Sequence, residues 1–201
     1  MSTVQRSGDR VEVRIHGRGG QGAVTAAELL SVAAFDEGHY AQAFPSFGSE
    51  RTGAPVVSFC RFDSHPIRTR EPVAEPDALI VQDATLIHQV DLFAGLREGG
   101  YLLLNSPRAL AELGLEEVAA RLPEGQALTV PASEIARRNL GRPLPNAALL
   151  GGFAALTGRL GLGAVQAAIR ERFAGAAGEG NAAAAAECFE VVERARGAAR
   201  A

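Results

Sequence analysis

Val11, Val13 and Ile15 alternate with Glu12 and Arg14, the two-residue period of a strand with one polar face. A glycine-rich stretch, Gly17-Arg18-Gly19-Gly20-Gln21-Gly22, follows, and then a helical pattern from Ala23 to about Asp36. Its polar residues Thr25, Glu28 and Ser31 form a narrow stripe on an otherwise apolar cylinder, so this helix is expected to be covered on more than one side. His39–Phe47 reads as a second strand. Ala54–Phe62 reads as a third, apolar enough to be buried on both faces. Pro66-Ile67-Arg68 predicts a short edge piece, Ala78–Val81 a strand ending at Asp83, and residues 84–94 a helix. Strands at 100–105 and 127–130 follow. Helices are then expected at about 132–140, 146–158, 163–173 and 181–196, with Asn146 and Asn181 as N-caps of the second and last.

Alternation of strands and helices over the first two thirds predicts a three-layer α/β/α fold. Its sheet is expected to be mostly parallel, with a Rossmann-like start, and the C-terminal third to be helical. A chain of 201 residues fits a single domain over 1–201, with 1–9 a flexible N-terminus and 140–196 the helical portion. Gly151-Gly152 inside a predicted helix costs roughly 1 kcal/mol per glycine relative to alanine. Close packing against another backbone would offset that cost and points to an interface.

Composition narrows the chemistry. The 20 basic residues are all arginine, which excludes a Walker lysine or a lysine Schiff base. A net charge of −3 argues against a general nucleic-acid surface. Arginines and acids number 8 and 7 in residues 1–70 but 12 and 16 thereafter, so an anion site belongs in the first third. Cys60 and Cys188, without a CxxC, are too few for an iron–sulfur cluster or a structural zinc site, and no metal site is expected. No apolar run reaches the roughly 18 residues that span a bilayer, and the polar N-terminus has no signal core, so a cytoplasmic location without membrane contact is expected. His16, His39, His65 and His88 are scattered, no catalytic triad stands out, and no catalytic residue is assigned.

Residues 17–22 satisfy G-x-G-x-x-G between a strand and a helix, where backbone N–H groups and a helix N-terminus can hold an anion. A dinucleotide site also requires an acid at the end of the second strand, about 20 residues on. That stretch is Ala41-Gln42-Ala43-Phe44-Pro45-Ser46 and carries none, which disfavours a nucleotide-binding dehydrogenase. The turn then either only bends the chain or closely approaches a phosphate, a cofactor or another subunit, with Arg18 and Gln21 supplying polar contacts.

GRGGQG at 17–22, QAFPSFGSERTGAPV at 42–56, PIR at 66–68, EPDALIVQD at 75–83 and LGRPLPNAALLGGFAALTG at 140–158 occur in one order and spacing. Together they resemble the gamma subunits of pyruvate:ferredoxin oxidoreductases and other 2-oxoacid:acceptor oxidoreductases, from about residue 11 to 195. FPSFGSERTG is the most specific segment. Ala147 stands where relatives commonly have threonine after the asparagine. The resemblance implies a complex that decarboxylates a 2-oxoacid, pyruvate favoured, on thiamine diphosphate with Mg, passes electrons through iron–sulfur clusters to ferredoxin or another acceptor, and makes acyl-coenzyme A. Those cofactors are expected on companion alpha, beta and delta subunits, and none on this chain alone. The gamma chain is expected to be inactive by itself and to contribute assembly and surface near coenzyme A. An assembly scaffold without ligand contact is the alternative.

The residues expected to bind are Gly17, Arg18, Gly19, Gly20, Gln21 and Gly22, then Ser46, Glu50 and Arg51 in the loop, and Asn146. Arg51 has the planar fork that suits a phosphate or a partner carboxylate, with Glu50 orienting it. Arg61, Arg68 and Arg70 read equally as positive charge for the site or as protection of an edge strand. Asp83, at a strand's carboxyl end, is either a site residue or the cap of the next helix.

Overall fold

The computed structural model describes residues 9–46 and 52–199. Six strands form one sheet: β1 (Val11–Arg18), β2 (Tyr40–Pro45), β3 (Pro55–Asp63), β4 (Ala78–Val81), β5 (Tyr101–Asn105) and β6 (Ala127–Val130). The α-helices are α1 (Ala23–Asp36), α2 (Glu116–Ala120), α3 (Ala132–Leu140), α4 (Asn146–Thr157), α5 (Leu162–Arg172) and α6 (Gly175–Ala199). Sheet order is β2-β3-β1-β4-β5-β6. β1, β4, β5 and β6 are parallel, as the βα alternation predicts. β3 lies between β1 and β2 and runs antiparallel to both. The unit β1-α1-β2 therefore does not place its two strands side by side, and β3 takes the position beside β1 that the second strand of a dinucleotide fold would occupy.

Register decides the faces. Val11, Val13 and Ile15 pair with Phe62, Cys60 and Ser58, and β4 adds Ala78 and Ile80 to that side. This face carries α1 and α3–α6 over the larger core cluster, which includes Leu30, Phe153, Ile135, Ile169 and Cys188. α1 packs on β1, β2 and β3 and also against α4 and α5, which accounts for its nearly all-apolar circumference. The opposite face is covered more thinly. Leu79, Val81, Leu102 and Leu104 meet α2, the 3-10 turn Ala84–His88 and the segment around Leu92.

Glu12, Arg14 and His16 of β1 also point to that second face. Arg14 donates to the carbonyls of Leu92 (2.9 Å) and Ala94 (2.6 Å). Those carbonyls turn to a buried guanidinium, and the helix expected over 84–94 is only a 3-10 turn over 84–88. Arg61, 2% exposed, pairs with Glu12 and donates to the carbonyl of Glu71 at 2.9 Å. It is a staple for the 64–76 segment on an interior strand, not edge protection. Residues 66–68 form no strand, while Arg68 and Arg70 are exposed.

The two expected asparagine caps are corrected. The carbonyl of Pro145 already accepts from the Leu149 amide at 2.9 Å, so Pro145 is the cap position and Asn146 opens the helix without capping it. α6 begins at Gly175, and the Asn181 amide donates back to the Ala177 carbonyl within it at 2.8 Å. Gly151 and Gly152 are consumed inside the chain. A Cβ on Gly151 would lie 1.9 Å from the Ala185 carbonyl oxygen of α6, so these glycines let α4 and α6 touch and do not mark a subunit interface.

Candidate functional site

The glycine turn links the end of β1 to α1 and bends where only glycine is comfortable. Gly20 has φ +94° and Gly22 φ +78°, both left-handed. At two of the positions a side-chain end packs against the glycine. A Cβ on Gly17 would sit 2.5 Å from Gln82 Oε1, and one on Gly22 would sit 2.7 Å from Asn146 Nδ2. Gly22 occupies the N-cap of α1 with no side-chain cap, and the first turn holds no acid. The first N–H groups of the helix have no intrahelical acceptor and face outward. They carry the positive end of the helix dipole.

The turn and the loop after β2 converge. The Gly19 amide donates to the Ala54 carbonyl at 2.9 Å, and the Gly53 amide donates to the Gly19 carbonyl at 3.1 Å. A cleft of about 410 Å³ lies here, lined by Arg18, Gly19, Gly20, Gly22 and the start of α1 on one side and by Thr52 and Val56 on the other. A second cleft, of about 650 Å³ and mainly apolar, lies across the first turn of α1, with Thr25, Leu140, Leu144, Asn146 and Phe173 in its walls. Asn146 stands between the two. It is 8% exposed, its side chain meets no hydrogen-bond partner among the described residues, and its amide lies against Gly22.

Arg18 and Gln21 do not face an open anion site. Arg18 Nε donates to Asp83 Oδ2 at 3.0 Å, one terminal nitrogen to the Gly53 carbonyl at 3.0 Å, and the other to Thr85 Oγ1 at 2.6 Å. Gln21 Nε2 donates to the same Asp83 oxygen at 2.9 Å, while its Oε1 accepts from the Arg18 amide at 2.8 Å. Both readings of Asp83 therefore apply: it caps the following turn through the Thr85 amide at 2.9 Å, and it holds the glycine turn. Burial pushes the Asp83 carboxyl up, but hydrogen bonds from Thr85 and Gln21 and the charge of Arg18 outweigh it and hold the group below the usual carboxylate range.

These observations place the expected residues. Gly17 through Gly22 and Asn146 come together, and Ser46 is exposed just after β2, its amide donating to the Val57 carbonyl at 2.8 Å. Glu50 and Arg51 lie outside the described residues. Cys60 and Cys188 are both fully buried thiols, with burial raising the second to about 12.

The chain matches the pyruvate ferredoxin/flavodoxin oxidoreductase family over residues 12–191. The chain belongs to this family. It is 50% identical over 181 residues to the pyruvate/ketoisovalerate oxidoreductases common subunit gamma of Thermococcus kodakarensis, covering 89% of this chain and 95% of that one. It is 45% identical over 180 residues to pyruvate synthase subunit PorC of Methanothermobacter marburgensis, covering 90% and 96%. The crystal structure of the pyruvate oxidoreductase subunit PORC of Thermotoga maritima superposes with a TM-score of 0.76 at 33% identity, over 90% of this chain and 96% of that one. As a gamma subunit of the pyruvate ferredoxin/flavodoxin oxidoreductase family, the chain is one component of a multi-subunit oxidoreductase. Among its described residues no helix is long and apolar enough to cross a membrane.

Thr85 and Gln82, which bond and abut the glycine turn, are not among the expected residues. Thr85 had one available signal, its place two residues after an acid at a strand's carboxyl end. Gln82, whose buried amide abuts Gly17, had none, because its role depends on β4 lying beside β1.

Proposed function

We propose that this gamma subunit, a single unit spanning its whole sequence, serves a cytoplasmic complex that oxidatively decarboxylates a 2-oxoacid, pyruvate favoured, to acyl-coenzyme A and CO2. Ferredoxin or a similar carrier takes the electrons. On this reading thiamine diphosphate, Mg and the iron–sulfur clusters reside on alpha-, beta- and delta-type partners and supply the decarboxylation and electron transfer. The chain itself contributes assembly and the surface that receives coenzyme A.

The observation that carries the reading is the uncapped N-terminus of α1 opening on a cleft beside the unpartnered Asn146 amide. Phosphate oxygens fit such an end because several N–H donors and the helix dipole converge there and no side chain blocks the approach. The Gly17–Gly22 backbone would take the anion, Asn146 would donate to a carbonyl or phosphate oxygen of the carrier, and Ser46, Glu50 and Arg51 are proposed as further contacts to it. Arg18 shapes this site, since its guanidinium is already committed to Asp83, Thr85 and Gly53. Arg51 is then the cation proposed for direct phosphate contact. The sharing of one Thermococcus subunit between pyruvate and ketoisovalerate enzymes supports a gamma chain that does not select the oxoacid.

Arg51→Ala and Asn146→Ala in the assembled complex test this. Loss of a charge-assisted hydrogen bond is worth about 1.5–3 kcal/mol, so the KM for coenzyme A should rise roughly ten- to a hundredfold in Arg51→Ala, with the KM for the oxoacid unchanged. Unchanged coenzyme A kinetics in both variants would leave a scaffold without ligand contact.

A further inference from the structure

Asp83 does not line the cleft, yet its carboxylate holds one of the two stretches that do directly and the other through Arg18. Oδ2 accepts from Arg18 Nε at 3.0 Å and from Gln21 Nε2 at 2.9 Å, and Oδ1 accepts from the Thr85 amide and hydroxyl at 2.9 and 2.6 Å. Thr85 Oγ1 in turn accepts from Arg18 at 2.6 Å, closing a ring of hydrogen bonds. The rest of the Arg18 guanidinium bonds the carbonyl of Gly53, the last residue of FPSFGSERTG. Asp83 is thus the common anchor of two segments about 65 and 30 positions away in sequence, and it sits two residues past the end of β4, a strand buried along its length and braced by β1 and β5.

We propose that Asp83 is a positioning residue for the cleft: through Arg18 and Gln21 it sets the Gly19–Gly22 turn and locks residues 52–54 against it. The functional consequence rests on the coenzyme A reading above. Without the carboxylate, Arg18 keeps only neutral acceptors, Gln21 loses its side-chain acceptor, and the backbone donors of the turn are no longer held at one spacing from the loop. A donor array that must match an anion loses affinity when its parts move independently, because binding must then supply the ordering.

The test is Asp83→Ala, Asp83→Asn and Thr85→Val in the assembled complex, read by amide hydrogen exchange and by steady-state kinetics. Asp83→Ala should speed exchange tenfold or more in peptides covering 18–24 and 52–56 while peptides of α4 and α6 keep their protection. The KM for coenzyme A should rise about tenfold, with kcat falling much less. Asp83→Asn, which keeps an oxygen acceptor for Arg18 or Gln21, should recover part of both effects, and it carries the same test should Asp83→Ala fail to assemble. Faster exchange in both segments with an unchanged KM would uphold the positioning role and refute the coenzyme A reading. Unchanged exchange in the two segments, or loosening spread evenly over the chain, would overturn the proposal.

Discussion

A single methyl group should have opposite effects at two helical glycines of this chain. On Gly151 of α4 a Cβ would stand 1.9 Å from the Ala185 oxygen, 2.5 Å from its carbonyl carbon and 2.8 Å from its Cα. All three are backbone atoms of α6, so no side chain can rotate out of the way. Restoring ordinary contact requires α4 and α6 to separate locally by roughly 1.5 Å, a gap that forfeits much of the dispersion energy of the atoms it parts. A Cβ on neighbouring Gly152 would lie 3.0 Å from both Cys188 Sγ and Leu103 Cδ2, so this stretch of α4 has little slack to absorb the shift. Overpacking of this kind costs about 1–3 kcal/mol and more where the backbone must move. Alanine's better helix propensity returns about 1 kcal/mol. With the upper end of that cost applying to a backbone clash, the net expectation for Gly151→Ala is a loss of about 2 kcal/mol, or roughly 4–8 °C in Tm for a chain of this size. Gly163, inside α5, has nothing within 4 Å of the same methyl. There the propensity gain stands alone, and Gly163→Ala should stabilise by about 0.5–1 kcal/mol. Urea and thermal unfolding of both variants, followed by circular dichroism at constant m-value, decide the matter. A neutral or stabilised Gly151→Ala would refute the claim that α4 and α6 meet backbone to backbone.

Burial, reinforced by Arg14, lowers the His16 pKa from 6.5 to about 4, so the unfolded chain binds the proton first as pH falls. Stability should therefore decline between pH 6.5 and 4 by about 3 kcal/mol from this group, and His16→Leu should flatten that part of a urea-midpoint profile. Gly22→Ala should cost about 1–2 kcal/mol for its left-handed φ alone, and more for displacing Asn146, with unfolding midpoint and KM for coenzyme A measured together.

Local pattern was enough for α1, whose bounds the periodicity predicts as Ala23 to about Asp36, and for β4 and β6, because each is short-range in cause: a largely apolar run closed by an acid or, for β6, by Pro131. The glycine turn was legible for the same reason, since the left-handed angles at Gly20 and Gly22 admit little else. Identity of the family was also carried by linear motifs, which survive without any knowledge of folding. What the linear pattern misjudged were features whose partners are distant. Asn146 and Asn181 look like caps until Pro145 and Gly175 take the helix starts. Residues 84–94 look helical until the buried Arg14 claims the carbonyls of Leu92 and Ala94. Gly151 looks like an intersubunit contact until α6 packs on it. Arg18 looks like a free cation until β4 brings Asp83 beside it. The sequence alone determined the six strands, the helices α1 and α3–α6, and what kind of turn joins the first two elements. Only the tertiary structure decided which polar groups remain available, because a charge or an amide is spent or free according to neighbours that the sheet order places beside it.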